Sequence, residues 1–186
     1  MITQISLCFQ HKRFLKQRSH FRFTKGLNMI IGPNGSGKST LLRAIDKCRE
    51  CARQEDGPTH YQYFNGETMN PHRAYKYFKG LPGSVIRARA LFSSHGETMR
   101  DVLQSYNPLP GDCFILDEPE NGHDLEWVIK IRKGLDALVE AGCQVIVASH
   151  SPIFWNKSHI IELKRGYLKH ACRLMKVSLS KDCRPR

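Results

Sequence analysis

The sequence lacks the segments that mark membrane and secreted proteins. It contains no apolar run of about 18 residues, the length that a transmembrane helix needs. Its first residues have neither a positively charged segment nor a small-residue cleavage site, so we expect no secretory signal. These absences predict a cytoplasmic protein without a membrane partner. The length of 186 residues is that of one domain.

The cysteines do not indicate a disulfide framework. There are seven, an odd number, in a chain without a secretory signal. Cys48 and Cys51 form a single Cys-x-x-Cys pair. A tetrahedral zinc site needs two more ligands, but the chain has no second such pair, and only His60 follows nearby. We therefore expect reduced, unrelated thiols and no metal at these residues.

Acidic residues are absent from the start of the chain, where none precedes Asp46. The net charge of +12 comes from 29 Lys and Arg against 17 Asp and Glu. Basic residues cluster before residue 26 and again after Glu162, including the tail 166–186. Because a nucleotide needs only local positive charge, the excess suggests a second polyanion, most simply nucleic acid such as DNA. A solvated basic surface or an acidic protein partner would also explain it.

The sequence does contain a glycine-rich loop at 32–40, GPNGSGKST, which satisfies the P-loop pattern G-x-x-x-x-G-K-[S/T]. The preceding residues 27–31 predict a buried strand, and residues 39–51 predict a helix. This arrangement points backbone N–H groups at phosphates. We expect Lys38 to reach the β- and γ-phosphates and the Ser39 hydroxyl to bind Mg²⁺. The residues expected to hold the nucleotide are Asn34, Gly35, Ser36, Gly37, Lys38, Ser39 and Thr40.

Alternating strand and helix patterns predict an α/β fold with a mainly parallel core sheet. Apolar runs predict buried strands at 113–116 and 145–148, with a helix at 124–141 between them. We also expect a short aromatic strand at 60–65, an irregular segment at 54–58 and a terminal hairpin at 160–168.

The segment before the glycine-rich loop predicts an antiparallel β-layer. Large side chains alternate with small or polar ones at 5–9 and 20–23, which is typical of half-buried strands. The basic stretch 11–20 between them is expected to be a turn or an exposed strand. One of Phe14, Phe21 and Phe23 could stack on an adenine, although packing in the sheet is the commoner role of such a residue.

Catalytic candidates follow two of the predicted strands. Asp117 ends the apolar run 113–116, and this position suits a carboxylate that binds Mg²⁺ directly or through water. Glu118 is then placed to polarise an attacking water molecule as general base. His150 follows the strand 145–148, which the intervening helix would bring beside the first. Its imidazole could sense or stabilise a γ-phosphate.

A second candidate phosphate site is the stretch Ser93–Glu97, with sequence SSHGE, before a predicted helix. Ser94, Gly96 and Glu97 are its candidate binding residues. Because the glycine-rich loop already serves this chain's own γ-phosphate, the natural ligand of a second site is the ATP of another subunit. A simple helix N-cap is the alternative.

Taken together and in this order, GPNGSGKST, SSHGE, FILDEPE and ASH resemble the Walker A, signature, Walker B and switch-histidine motifs of the ATP-binding-cassette (ABC) ATPases. SSHGE and DEPE are similar to the SMC/RecF/OLD-like branch of that superfamily, although His95 stands where its signature has a glycine. The resemblance implies a P-loop NTPase head over residues 1–186, with a small helical signature region in a lobe at about 57–110. It also implies a D-loop at 121–124 and makes Gln62 a candidate for the Q-loop glutamine.

The same resemblance implies a function. Two copies would close head-to-tail around two ATP molecules with Mg²⁺, and each site would join one chain's P-loop to the other's Ser94–Glu97. The short interval between Lys38 and Ser94 disfavours a transporter subunit. We expect an ATPase that acts on or near DNA in repair, recombination or anti-phage defence. The alternative is a regulatory switch that controls a separate effector, for example a nuclease.

Overall fold

The computed structural model describes residues 1–15, 19–65 and 108–182. Within these ranges the strands are β1 (Ile2–Ser6), β2 (His20–Arg22), β3 (Leu27–Ile31), β4 (Ala52–Glu55), β5 (Tyr61–Asn65), β6 (Cys113–Asp117), β7 (Gln144–Ala148) and β8 (His159–Glu162). The helices are α1 (Phe9–Phe14), α2 (Lys38–Lys47), α3 (Leu125–Glu140) and α4 (Tyr167–Asp182), with a 3₁₀ turn at Pro152–Phe154.

The centre of the fold is a parallel sheet in the order β5-β6-β7-β3-β8. Every residue of β3, β6 and β7 is buried. Strands covered on both faces have continuous apolar sequences for this reason. The predicted α/β fold with a parallel core is confirmed, as are the strands around 60–65, 113–116 and 145–148 and the helix within 124–141.

A second, antiparallel sheet has the order β2-β1-β4, which confirms the predicted β-layer. The segment expected to be irregular after residue 54 begins inside β4 instead. Its sequence, ARQE, has no apolar alternation, because only Arg53 among its side chains is even partly buried. Hydrogen bonding with β1 defines this strand, and no local sequence pattern predicts it.

Two groups of apolar side chains cover the two faces of the parallel sheet. One includes Ile30, Leu42 and Ile115 and lies on the side of α2 and the antiparallel sheet. The other includes Met29, Val147 and Leu135 and lies on the side of α3. Alternate residues of a strand point to opposite faces, so β3 and β7 contribute to both groups.

Three predictions about local structure were wrong. Of the basic stretch 11–20, residues 11–14 form neither a turn nor an exposed strand but part of α1, while residues 16–18 lie outside the described residues. Phe9, expected to end a half-buried strand, begins this helix and is 82% exposed. The expected terminal hairpin is absent because Tyr167 begins α4. The Glu162 carboxylate accepts a hydrogen bond from the Tyr167 backbone N–H at 3.0 Å, which satisfies one free donor of the first helical turn.

Two predictions from the sequence concern residues that the structure describes only in part or not at all. The helical signature region and most of the proposed lobe at 57–110 fall outside the described residues.

Among the helices that are described, none has the length and apolar character needed to span a membrane.

Candidate nucleotide-binding site

The glycine-rich loop connects β3 to α2 at the carboxyl edge of the parallel sheet. Gly35 and Gly37 have φ angles of 72° and 93°, and Gly37 is the N-cap of α2. A Cβ atom on Gly37 would lie 2.4 Å from Cδ2 of Leu15, the residue after α1. Glycine is therefore required at position 37 both by the backbone and by the close approach of Leu15.

The start of α2 offers a set of backbone donors. The first-turn N–H groups of a helix, here those of Lys38, Ser39 and Thr40, have no acceptor within the helix. They coincide with the positive end of the helix dipole, so this end of α2 suits a phosphate. Asn34 and Gly35 are exposed on the loop. The Ser36 hydroxyl is buried and has no partner among the described residues.

Lys38 is buried at this edge, with only 5% of its surface exposed. Its Nζ atom lies 3.3 Å from the Gly32 carbonyl oxygen and 2.7 Å from Nε2 of His150. Because an ammonium group can only donate, Nε2 of His150 is the acceptor in this contact. Burial lowers the pKa of Lys38, while the attraction of Glu118 and Asp117 opposes that shift.

Asp117 is the polar centre of the site and is 2% exposed. The Ser39 hydroxyl donates to its Oδ1 atom at 3.0 Å. Its Oδ2 atom accepts from the Asn65 side-chain amide at 2.9 Å and from the Tyr63 hydroxyl at 3.2 Å. Burial and the negative charge of Asp117 raise the pKa of Tyr63 to about 12, so the phenol stays protonated and donates.

The arrangement of Ser39 and Asp117 fits Mg²⁺. This ion prefers hard oxygen ligands in an octahedron with bonds of about 2.0–2.1 Å, in which neighbouring ligand oxygens are about 2.9 Å apart. The Ser39 Oγ and Asp117 Oδ1 atoms are 3.0 Å apart. These two oxygens can therefore lie at adjacent positions around one ion, or can hold its water ligands.

Glu118 leaves the sheet in a strained conformation. It has a φ angle of 50°, one of two positive values for non-glycine residues among those described. Such values cost energy and often occur at functional sites. The Glu118 N–H donates to the Ala148 carbonyl oxygen at 2.9 Å, and its Oε1 atom lies 3.6 Å from Nε2 of His150. The turn thus directs the carboxylate along the edge toward His150.

Glu120 fixes the segment that carries His150. Its Oε1 atom accepts hydrogen bonds from the Ser149 hydroxyl at 2.6 Å and from the His150 backbone N–H at 2.9 Å. Glu120 therefore ties the loop after β6 to the loop after β7. Its second oxygen, Oε2, is buried with no partner among the described residues.

The structure brings together Lys38, Ser39, Asp117, Glu118 and His150, five of the candidate site residues, through contacts of 2.7–3.6 Å, and their roles stay predictions. Gln62, considered for the Q-loop, points elsewhere, since its amide donates to Asp112 at 3.2 Å, near the start of β6. Ser94, Gly96 and Glu97 lie outside the described residues.

Three contributors, Tyr63, Asn65 and Glu120, were not assigned roles from the sequence. Asn65 could have been found, because it is a polar residue at the end of a predicted aromatic strand. The β5–β6 register pairs it with Asp117.

Only one of the three aromatic candidates for adenine stacking remains available. Phe21 and Phe23 are 4% and 7% exposed and pack in the core. Phe14, at the end of α1, is 72% exposed. It precedes Leu15, whose side chain contacts the glycine-rich loop.

Comparisons with known proteins find partial sequence similarity and a similar fold. A family model described as an AAA domain matches residues 8–48, the segment that includes the glycine-rich loop. The chain is 24% identical over 195 residues to the ATP-binding protein YdiF of Bacillus subtilis, covering 90% of this chain and 30% of that protein. It is 27% identical over 183 residues to the energy-dependent translational throttle protein EttA of Escherichia coli, covering 81% of this chain and 32% of that protein.

A solved structure has a similar fold. It is the dimeric post-hydrolysis state of the ATP-binding cassette MJ0796 bound to ADP and Pi, which is 21% identical with a TM-score of 0.50. The match covers 79% of this chain and 85% of that one. At 21% identity, this match concerns the fold. The chain spans about a third of the length of YdiF and EttA, at 30% and 32%.

Proposed function

We propose that this chain hydrolyses ATP with Mg²⁺ at the site formed by the glycine-rich loop and the ends of β6 and β7. The observation that carries the proposal is the contact between Ser39 and Asp117. A hydroxyl at the start of the P-loop helix and a buried carboxylate at the end of a neighbouring strand are 3.0 Å apart. This contact is the pairing that Mg²⁺ needs in a P-loop NTPase.

In this proposal, residues 34–40 bind the phosphates of ATP. The loop amides and the first turn of α2 hold the phosphates, and Lys38 adds a positive charge that is already desolvated. Ser39 and Asp117 would hold Mg²⁺, which would neutralise negative charge that develops on the phosphate oxygens. Asn65 and Tyr63 fix the orientation of the Asp117 carboxylate by donating to its second oxygen.

Hydrolysis depends on Glu118 and His150. The Glu118 carboxylate accepts a proton from a water molecule whose oxygen attacks the γ-phosphorus, and the bond to the bridging oxygen of ADP breaks. His150 lies between Glu118 and Lys38, at 3.6 and 2.7 Å, so it can contact the same phosphate as Lys38. Glu120 positions His150 through its backbone N–H.

The complete site would be shared between two copies. Ser94, Gly96 and Glu97 of one copy would contact the ATP held by residues 34–40 of the other. Support comes from the SSHGE sequence, which resembles a signature motif, and from the fold similarity to a cassette that is dimeric with ADP and Pi. The DEPE sequence favours the SMC/RecF/OLD-like branch, as proposed above.

Glu118→Gln tests the hydrolytic role. The amide keeps the size of the side chain but cannot accept the proton, so we expect turnover to fall by about 10²-fold or more. ATP binding should persist, and dimers should accumulate when ATP and Mg²⁺ are present. Phosphate release measures the first effect, fluorescent-nucleotide titration the second and sedimentation the third.

Glu126→Gln is the matched control, because it makes the same chemical change on the exposed first turn of α3. It should hydrolyse ATP at the normal rate. Normal turnover by Glu118→Gln would remove Glu118 from the role of base. Loss of nucleotide binding in that variant would show that the carboxylate serves binding instead.

The cellular role that we favour is an ATPase acting on or near DNA. The net charge of +12 and the exposed basic residues of α1 and α4 support it. So does the similarity of SSHGE and DEPE to ATPases of the SMC/RecF/OLD-like branch.

A second candidate role is a regulatory ATPase that controls a separate effector. The similarity to EttA, whose name describes an energy-dependent translational throttle protein, favours it. The Glu118→Gln protein with ATP can be incubated in one experiment with duplex DNA and in another with ribosomes. Comparing its retention by each partner would distinguish the two roles. Retention by ribosomes but not by DNA would replace the first role with the second.

A further inference from the structure

A cluster of metal-ligating side chains lies apart from the ATP site. It consists of Cys8, His11, Cys48 and Cys51, and one ligand atom from each lies within 4.8 Å of all the others. The expectation of unrelated thiols was therefore wrong for these cysteines. The signal in the sequence was the Cys8-x-x-His11 pair, which has the same spacing as Cys48-x-x-Cys51. His60, the histidine considered first, is not among the four.

The topology explains how two short sequence pairs meet. β1 and β4 are antiparallel neighbours, and Ser6 is paired with Ala52. Cys8 follows the end of β1 by two positions, and Cys51 precedes the start of β4. The register thus places both at one end of the sheet. Cys48 caps the C-terminus of α2, and Cys8 is the N-cap of α1.

The distances are close to those of a tetrahedral centre. Zinc bonds of about 2.3 Å to sulfur and about 2.0–2.1 Å to nitrogen place two sulfur ligands about 3.8 Å apart and a sulfur and a nitrogen about 3.6 Å apart. The Cys8 and Cys48 sulfur atoms are 4.0 Å apart. His11 Nδ1 lies 3.1 Å from the Cys8 sulfur and 3.5 Å from the Cys51 sulfur.

The surroundings suit a negatively charged metal–thiolate group. The Cys8 backbone N–H donates to the Cys51 sulfur at 3.3 Å, the kind of hydrogen bond that outer-shell groups make to a metal ligand. Three thiolates, a neutral imidazole and Zn²⁺ carry a net charge of about −1. Lys12, Arg13 and Arg49 adjoin the ligands in sequence and are exposed, so cations are available to balance it. None of the described cysteines forms a disulfide.

The helix α1 would gain stability from such a centre. It has six residues, none of them buried, and no side-chain cap. Isolated helices of that length are unstable in water. Its attachments are the cluster at its first turn and Leu15 after its last, where the side chain contacts the glycine-rich loop. A metal at the cluster would fix α1 alongside α2, between the exit of α2 and the loop.

We propose that Cys8, His11, Cys48 and Cys51 bind one Zn²⁺ ion that holds α1 against α2. Four protein ligands complete the tetrahedron and leave no position for water or substrate, so the site is structural. The three thiols release their protons to solvent on binding.

The test begins with the unaltered 186-residue chain, purified under reducing conditions without chelators. We expect one zinc per chain by elemental analysis. Replacement with Co²⁺ should give intense thiolate-to-cobalt charge-transfer absorption and the visible bands of a tetrahedral site. Removal of the metal by a chelator should raise amide hydrogen exchange in residues 8–15 far more than in β3.

Variants identify the ligands. Loss of an outer-shell partner weakens metal binding by about 10–100-fold. Cys48→Ser and His11→Ala each remove a ligand, so each should weaken zinc binding by more than that. His11→Cys should retain zinc because a four-cysteine site is equally suitable. Cys172→Ser, the same chemical change on α4, should bind zinc normally.

Three results would overturn the proposal. The first is wild-type protein without zinc and without cobalt charge transfer, and this result does not depend on any variant being folded. The second is unchanged zinc affinity in both Cys48→Ser and His11→Ala. The third is mass spectrometry showing a disulfide between any two of the three cysteines in the reduced preparation.

Discussion

At the scale of single residues, the Asp117 carboxylate shows how a buried charge is accommodated. It is almost fully inside the protein, where an unpaired carboxylate is costly. Three donors, on Ser39, Asn65 and Tyr63, satisfy it instead. The same donors limit its rotation, so the oxygen facing Ser39 is preorganised for a cation.

Glu120 is predicted to act through His150. In Glu120→Ala the His150 N–H and the Ser149 hydroxyl lose their shared acceptor. We expect a loss of about 2 kcal/mol in the free energy of unfolding, in line with hydrogen bonds to charged groups. ATP turnover should fall while nucleotide affinity changes little.

The conservative variant Glu120→Gln separates positioning from a general structural loss. Its amide oxygen still accepts, so turnover should return to most of the wild-type rate. Urea unfolding and steady-state phosphate release measure the two effects. Full turnover by Glu120→Ala would contradict the positioning role.

At the scale of elements, one buried side chain adds hydrogen bonds to the apolar packing between the two sheets. Gln144, at the start of β7, is fully buried. Its oxygen accepts from the Ile2 N–H at 3.0 Å, and its amide donates to the carbonyl oxygens of Ile2 and Thr24 at 2.8 and 2.7 Å. The parallel sheet thereby holds the first strand of the antiparallel sheet.

Gln144→Leu should therefore lower the free energy of unfolding by about 2–4 kcal/mol, because buried polar atoms of Ile2 lose their partners. The midpoint of urea unfolding measures this loss. Gln54→Leu, an exposed position on β4, should change it by less than about 0.5 kcal/mol. Equal midpoints for the two variants would show that the connection contributes nothing to stability.

The element α1 shows the limit of pattern analysis. Its residues have no amphipathic pattern, and all six are partly or fully exposed. Helical periodicity predicts a helix only where one face is buried. The contacts of Cys8, His11 and Leu15 at its two ends depend on residues that are distant along the chain.

At the scale of the whole molecule, the net charge of +12 is the feature that bears on partners. If the chain binds DNA, affinity should decline steeply with salt, by on the order of 10³-fold between about 50 and 200 mM if about six phosphates are contacted. Titration of fluorescent duplex DNA over this range, with and without ATP, measures the slope.

A charge-matched pair of variants locates the contact. Lys169 and Arg173 are exposed on α4, and changing both to Gln should reduce the salt slope by about 2, one for each lost phosphate contact. Changing Lys130 and Lys133 of α3 to Gln removes the same charge elsewhere. Identical slopes for the two double variants would exclude α4 as the DNA contact. DNA binding whose affinity does not change with salt concentration would contradict the inference that the excess positive charge contacts a polyanion.

The sequence by itself determined the P-loop and the main strands of the parallel sheet. Their causes are local: glycine at positions 35 and 37 permits positive φ angles, and strands buried on both faces must be continuously apolar. Because parallel strands end at one edge, the same pattern placed Asp117, Glu118 and His150 together.

Only the tertiary structure decided that Asn65 and Tyr63, but not Gln62, donate hydrogen bonds to Asp117. It also decided that the Cys8/His11 pair and the Cys48/Cys51 pair, which are distant in sequence, form one cluster. These contacts depend on strand register and on the crossing of α1 and α2. Register is a property of the paired strands, and a shift of one residue would turn every side chain to the opposite face. No local pattern within either segment carries that information.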